Sequence, residues 1–197
     1  MSIDGGDEQD RADMARLAQG HDAALNDLMA RHAEKLLHYL MRHLANDTIA
    51  GELAQETFVR VYQNRARFRP ESRFSTWLYT IATNLLRDRF RWQSRHPEVS
   101  LDAEREESGG SLADMLPGTS PEPGEQLELA ERAAVVRRAV EKLPEDLRAV
   151  LILAEYEQQS HAEIGIILGC SVKAVESRLF RARQQLRARL GPMLETL

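Results

Sequence analysis

The sequence predicts an all-α protein made of two small helical domains joined by a flexible acidic linker, the second domain containing a helix-turn-helix. Three observations carry that expectation. Glycine, proline and aromatic residues are sparse in the segments where apolar residues recur at helical spacing. Residues 96–124 break the pattern with Pro97, Gly109, Gly110, Pro117, Gly118, Pro121, Pro123 and Gly124 set among acids and serines, which leaves no apolar period to bury. Residues 160–190, SHAEIGIILGCSVKAVESRLFRARQQLRARL, then read as a short helix, a tight turn and a basic second helix.

Taken in order, residues 1–9 read as a disordered N-terminus. A short helix over about 10–19 breaks at Gly20, and Asp22 is placed to cap a longer one carrying Leu25, Leu28, Met29, Leu36, Leu37, Leu40 and Leu44. His32, His38 and His43 lie on that helix with no four-residue ligand spacing, so packing or surface roles are expected of them and no metal. Asp47 is expected to cap the next helix, TIAGELAQETFVRVYQN, with Ile49, Leu53, Phe58, Val61 and Tyr62 inward and Glu52, Gln55, Glu56, Val59 and Arg60 facing elsewhere. An arginine-rich loop ends at Pro70, and residues 74 to about 92 resume a helix with Phe74, Trp77, Leu78, Ile81, Ala82 and Leu85 on one face. Trp77 falls on the apolar stripe and reads as core; Phe90 and Trp92, among Arg89, Arg91 and Arg95, could stack on single-stranded bases if exposed. Residues 125–142 read as helical, and Pro144 opens another helix at its first turn.

The final stretch is the most explicit. Ser160 and Glu163 form a capping box, in which the hydroxyl accepts from an orphan amide and the carboxylate reaches back to the cap. Gly169 supplies the positive φ at which a helix ends, and Ser171 can cap the second helix. That helix places Val172, Val175, Leu179, Ala182 and Leu186 on its buried side, with Lys173, Arg178, Arg181, Arg183, Arg187 and Arg189 around the rest and Glu176 as its one acid. A helix-turn-helix lays such a helix in the DNA major groove. A solvated amphipathic hairpin is the competing reading of this stretch by itself.

Net charge is −5, which by itself argues against a nucleic-acid partner, but its distribution reverses that impression. Residues 60–95 hold nine arginines against Glu71 and Asp88, residues 96–131 hold ten acids against Arg105, and residues 172–189 hold six cations against Glu176. Two basic blocks with an acidic tether between them imply two separate DNA-facing surfaces. A single cysteine, Cys170, excludes an internal disulfide framework and any cysteine-based zinc site, and fits a reduced, cytoplasmic setting. No apolar run approaches a membrane span, and the acidic MSIDGGDEQD start is unlike a signal peptide.

Two motifs in this order resemble a known family. ELAQETFVRVY followed by FSTWLYTIATNLLRDRFR resembles region 2 of the bacterial sigma-70 RNA polymerase sigma factors, and KLPEDLRAVLILAEYEQQSHAEIGIILGCSVKAVESRLFRAR resembles region 4. With only these regions and a short tether, the chain is similar to the extracytoplasmic-function group, across residues 10–190. The resemblance implies a region 2 domain over 10–95, a linker over 96–124 and a region 4 domain over 125–197. It implies core RNA polymerase and promoter DNA as partners, a monomer within the holoenzyme, an anti-sigma partner in many members, no cofactor and no catalysis.

The resemblance also implies site residues. The helix around the Gln-Glu-Thr-Phe motif docks on the polymerase largest subunit in that family, which points to Glu52, Leu53, Gln55, Glu56 and Val59. Members more often carry aspartate at the position of Glu52 and a larger residue at Gly51. The loop before TWL and the helix after it bind the minus-ten strand and a flipped base, which points to Arg67, Arg69, Ser72, Arg73, Asn84, Arg87 and Arg91. Extruding a base costs a few kcal/mol of stacking, and cations near the backbone help to offset it. The recognition helix reads the minus-35 element, which points to Ser171, Lys173, Ala174, Glu176, Ser177, Arg178, Phe180, Arg181 and Arg183. Many relatives have arginine where Glu176 stands; a carboxylate accepts from the cytosine amine and cannot pair with guanine acceptors.

Two other function classes compete. An autonomous helix-turn-helix regulator would bind a palindromic site without polymerase, and the region 2 motif has no role in it. An enzyme using Glu52 and Glu56 lacks a third ligand, a nucleophile motif or a phosphate-cradling glycine loop.

Overall fold

A computed structural model describes residues 4–44, 46–96 and 123–194, and among these every regular element is helical. The order is α1 (Asp4–Ala18), α2 (Ala23–Met41), α3 (Asp47–Gln63), a single 3₁₀ turn (Arg65–Arg67), α4 (Phe74–Arg95), α5 (Pro123–Glu141), α6 (Glu145–Glu155), α7 (His161–Leu168) and α8 (Val172–Leu194). Most of the expected linker lies outside the described residues. Its last two expected positions, Pro123 and Gly124, belong to α5.

The expectation of disorder over residues 1–9 is corrected for the described part, since α1 begins at Asp4. This helix is held as much by charge as by apolar contact. Met14 and Leu17 are buried, and so are the carboxylates of Asp10 and Asp13. Arg31 of α2 reaches both acids, with Nε 2.9 Å from Asp10 and Nη2 2.6 Å from Asp13, and His32 adds a 2.7 Å contact to Asp10. Burial works against ionised Asp13, but the bonds from Arg31, Gln9 and Arg16 outweigh it and hold its pKa below the usual carboxylate value.

The chain reverses at Gly20, whose φ of 91° is open to glycine at little cost. Asp22 does not cap α2. Its own backbone is already helical (φ −59°, ψ −27°), and its carboxylate makes no cap bond. Asn46, not Asp47, caps α3: it is extended, and its side-chain oxygen accepts from the Ile49 amide at 3.0 Å. Helices α1 to α4 pack on one another around Leu28, Leu36, Tyr39, Leu40, Phe58, Val61, Phe74, Leu78, Ala82 and Leu86. Trp77 joins them, tilted on Phe68 with centroids 5.4 Å apart, as the periodicity predicted.

The second domain wraps α5, α6 and α7 around α8, with Leu147, Val150, Ile152, Leu153, Ile164, Ile167, Val175, Leu179 and Ala182 at its centre. Pro144 sits at the N-cap of α6, one position before the expected first turn. The capping box at Ser160 and Glu163 forms in full, Gly169 ends α7 at φ 67°, and the Ser171 hydroxyl accepts from the Ala174 amide at 3.2 Å. One expectation for α8 fails: Val172 is 44% exposed, because the chain is only leaving the turn there and the buried stripe starts at Val175.

The two domains are in contact. Helix α7 packs along α4, and the apolar clusters of both halves are continuous.

Candidate DNA-facing and partner-facing surfaces

Helix α3 turns Phe58 and Val61 into the first domain, and this leaves an outward face. Glu52, Gln55 and Val59 are exposed on it; Glu56 is half-buried and pairs with Arg60 at 2.8 Å. Leu53 is instead partly buried against the core, so it braces the face from beneath. Val59, 46% exposed, is the apolar centre of an otherwise polar patch. An apolar side chain ringed by polar ones is the composition of an interface core and its rim.

The arginine-rich segment before α4 and one stripe of α4 form a second surface. Arg67 and Arg69 are exposed, and Ser72 is half-buried where its amide closes a turn on the Arg69 carbonyl at 3.0 Å. Asn84, Arg87 and Arg91 follow at spacings of three and four, hence on one side of the helix. Asn84 is exposed, and Arg91 is exposed and bonds Asp88. Arg73 and Arg87 are not open. Arg73 lies between Asp7 at 2.7 Å and Glu163 at 3.1 Å, and Arg87 donates to the Leu168 carbonyl at 3.0 Å. Past the stripe, Phe90 packs partly into the core, while Trp92 is 40% exposed, stacked on His96 and approached by the Arg89 guanidinium at 5.1 Å.

Helix α8 forms the third surface. Lys173, Glu176, Ser177, Phe180 and Arg181 are exposed opposite buried Val175, Leu179 and Ala182. Phe180 is 69% exposed in the middle of that face, a position with no structural use for an aromatic ring. Ser171 is committed to capping, and Ala174 is half-buried. Two arginines turn to the flanks: Arg183 binds Glu155 at 2.6 Å, and Arg178 leans to 3.6 Å from Asp146. Glu176 lies 3.8 Å from His161, which leaves its carboxylate in solvent.

Sequence reasoning missed the residues joining the domains. Glu157, its side chain 4% exposed, receives Arg42 at 3.2 Å and the Tyr79 hydroxyl; Gln159 accepts from Thr76 at 3.4 Å. Arg42 also covers the Tyr156 ring at 4.3 Å. Burial raises the Glu157 pKa against these bonds, and burial beside that acid raises the pKa of Tyr79, which stays protonated and donates. Nothing local marks EYEQQS as an interface, since its partners stand 78 to 115 positions away.

Against known proteins, residues 28–96 match the family described as Sigma-70 region 2, and residues 133–186 match Sigma-70, region 4. The ECF RNA polymerase sigma-E factor of Escherichia coli is 34% identical over 190 residues, covering 94% of this chain and 96% of that protein. The RNA polymerase sigma-H factor of Pseudomonas aeruginosa is 35% identical over 191 residues, covering 95% and 96%. Among solved structures, CnrH in complex with the cytosolic domain of CnrY aligns with a TM-score of 0.66 at 29% identity, over 93% of this chain and 98% of that one. The sigma factor RpoE of Bartonella quintana, in complex with the anti-sigma factor NepR, shares the fold at a TM-score of 0.65 and 22% identity, over 84% and 96%. A region 2 match precedes a region 4 match, and relatives 34–35% identical align over 94–96% of both chains, so the chain belongs to the ECF RNA polymerase sigma factors and directs transcription initiation.

Proposed function

We propose that this sigma factor grips core RNA polymerase through the outward face of α3, with Glu52, Gln55, Glu56 and Val59 in contact and Leu53 behind them. Arg67, Arg69, Ser72, Arg73, Asn84, Arg87 and Arg91 take the minus-ten strand, and α8 reads the minus-35 element through Lys173, Glu176, Ser177, Phe180 and Arg181, with Arg178 and Arg183 at the phosphates beside them. The observation that carries this is the separation of three exposed faces with distinct chemistry: acidic and apolar on α3, cationic with an amide on α4, mixed with a bare phenylalanine on α8. Polymerase fixes the two basic domains at promoter spacing, so neither need bind tightly alone. The protein acts in the cytoplasm, as one copy per holoenzyme, and contributes binding and strand capture with no catalysis of its own. No described helix is long and apolar enough to cross a membrane.

Run-off transcription with purified core polymerase on a promoter library tests the proposal. Promoter-dependent RNA is expected only when both proteins are present; a palindromic footprint produced without polymerase would favour the autonomous regulator instead. Val59→Asp places a charge at the apolar centre of the α3 face and is expected to weaken core binding by about tenfold or more, as loss of an interface hot spot does. Fluorescence anisotropy against core polymerase reads it directly. Glu176→Arg should shift the preferred minus-35 base at one position from cytosine toward guanine, as read by selection from the same library. Identical selected sequences would remove Glu176 from the base-reading set.

We further propose that a partner protein holds this chain inactive, as the CnrH relative was captured with the cytosolic domain of CnrY. A pull-down from uninduced cell extract should recover a protein besides polymerase.

A further inference from the structure

We propose that the cavity where α2, α4, α6 and the α7–α8 turn meet is a binding site for a free α-amino acid with an apolar side chain. The cavity encloses about 420 Å³, within the range of about 300–1,000 Å³ typical of small-molecule pockets. Its wall contains an unmet polar group. His43 is 6% exposed, lines the cavity, and has no hydrogen-bond partner at either ring nitrogen among the described residues. Other polar groups of that wall are satisfied, since the Tyr39 hydroxyl and Thr83 share a bond of 2.9 Å. A buried imidazole without a partner is costly in a native fold, and a molecule held in the cavity supplies the missing bonds. The neutral ring donates from one nitrogen and accepts at the other, so it complements a ligand that carries both an acceptor and a donor.

Charges of both signs line the same space and fix the class of that ligand. Arg178 Nε lies 3.6 Å from Asp146, too far for a hydrogen bond, so both groups keep bonding capacity. Arg87 spends Nη2 on the Leu168 carbonyl at 3.0 Å and retains the rest of its five-donor fork. Glu145 is exposed in the first turn of α6, beside Asp146. Two guanidiniums suit a carboxylate and two carboxylates suit an ammonium, so the matching ligand is a zwitterion. A plain anion meets two acids here, and a plain cation meets two arginines. Leu86, Phe90 and Leu168 supply the apolar wall on which the side chain of the amino acid rests. His43, Leu86 and Glu145 belong to none of the proposed polymerase or DNA contacts, so this site is separate from them.

Isothermal titration calorimetry of the full chain against the standard amino acids tests this, with L-phenylalanine and L-leucine as the probes expected to bind. Binding is expected to be saturable and to raise the melting temperature by several degrees at high occupancy. N-acetyl-L-phenylalanine lacks the ammonium and L-phenylalaninamide lacks the carboxylate. Each is expected to bind about tenfold more weakly, because a charged partner is left unmet. A chemical readout locates the site. Cys170, partly exposed, is the chain's one cysteine and lines the cavity, so its alkylation by iodoacetamide should slow several-fold when phenylalanine is saturating. Glu145→Gln changes an exposed side chain and is expected to weaken phenylalanine about tenfold while leaving N-acetyl-L-phenylalanine unchanged. Absence of saturable binding by every standard amino acid overturns the proposal. So does binding that leaves the alkylation rate of Cys170 unaltered, or that tolerates loss of either ligand charge at equal affinity.

Discussion

Replacing Gly165 with alanine is expected to lower the melting temperature of the full chain by about 4–8 °C, although the same change in an ordinary helix would help. Gly165 lies within α7, where alanine gains up to about 1 kcal/mol in helix propensity. An added Cβ there would stand 2.8 Å from the Cys170 carbonyl oxygen, a backbone atom that no rotamer change can move aside. The same two residues are already tied, because the Cys170 amide donates to the Gly165 carbonyl at 2.9 Å. Forcing them apart costs about 3 kcal/mol, typical of an overpacked core, and leaves a net loss near 2 kcal/mol. Gly51 is the internal control: a Cβ there meets nothing within 4 Å, so Gly51→Ala should raise the melting temperature slightly. Scanning fluorimetry of both variants decides the matter. A Gly165→Ala protein as stable as wild type would mean that the turn relaxes more easily than its hydrogen bond implies.

Acid should loosen the protein through His43. This residue is 6% exposed, stacks edge-on against Tyr39 at 4.8 Å, and lines the contact between domains with Ala149, Asp146 and Leu168. Neither ring nitrogen has a hydrogen-bond partner among the described residues. Burial, with the positive charges of Arg148 and Arg42 adding to it, lowers its pKa from 6.5 to about 3. The native ring thus stays neutral where the unfolded chain takes up a proton, between about pH 6.5 and 3. In that window the unfolded state binds more protons, so stability falls with falling pH, by up to about 1.4 kcal/mol per unit. From pH 7 to 5 the loss is about 2 kcal/mol on this basis. Glu157 has the opposite sign: its raised native pKa makes the folded state the better proton acceptor, which offsets part of the loss as that group titrates. His43→Phe keeps an aromatic ring and removes the titrating nitrogens. Its melting temperature should be nearly flat from pH 7 to 5, and a profile parallel to wild type would show that His43 is not the group responsible.

Where a structural decision is local, the residues announced it. Ser160, Glu163, Gly169 and Ser171 form the caps and turn expected of them, and Trp77 sits on the apolar stripe that its spacing indicated. Helix α3 is capped by Asn46 rather than Asp47, a choice between adjacent capping residues that composition does not resolve. The start of α1 was hidden for a different reason. Its inward side includes Asp10 and Asp13, so a search for apolar period passes over a helix whose burial is made acceptable by Arg31, twenty-one and eighteen residues away. Of the site, outward faces were legible because they are what remains once the buried stripe is assigned. What could not be read is that Arg73 and Arg87 are already engaged, because their partners come from segments with no shared local pattern.

Arg73 joins Asp7 and Glu163, so one guanidinium binds the beginning, the middle and the far part of the chain. During synthesis these arrive at different times. A ribosome that has released only the first hundred residues exposes Tyr79, Thr76 and the Arg87 flank without a cover, and Glu157 and Leu168 emerge later. Arg73 and Arg87 therefore gain their acceptors on Glu163 and Leu168 only once that later segment has emerged and folded.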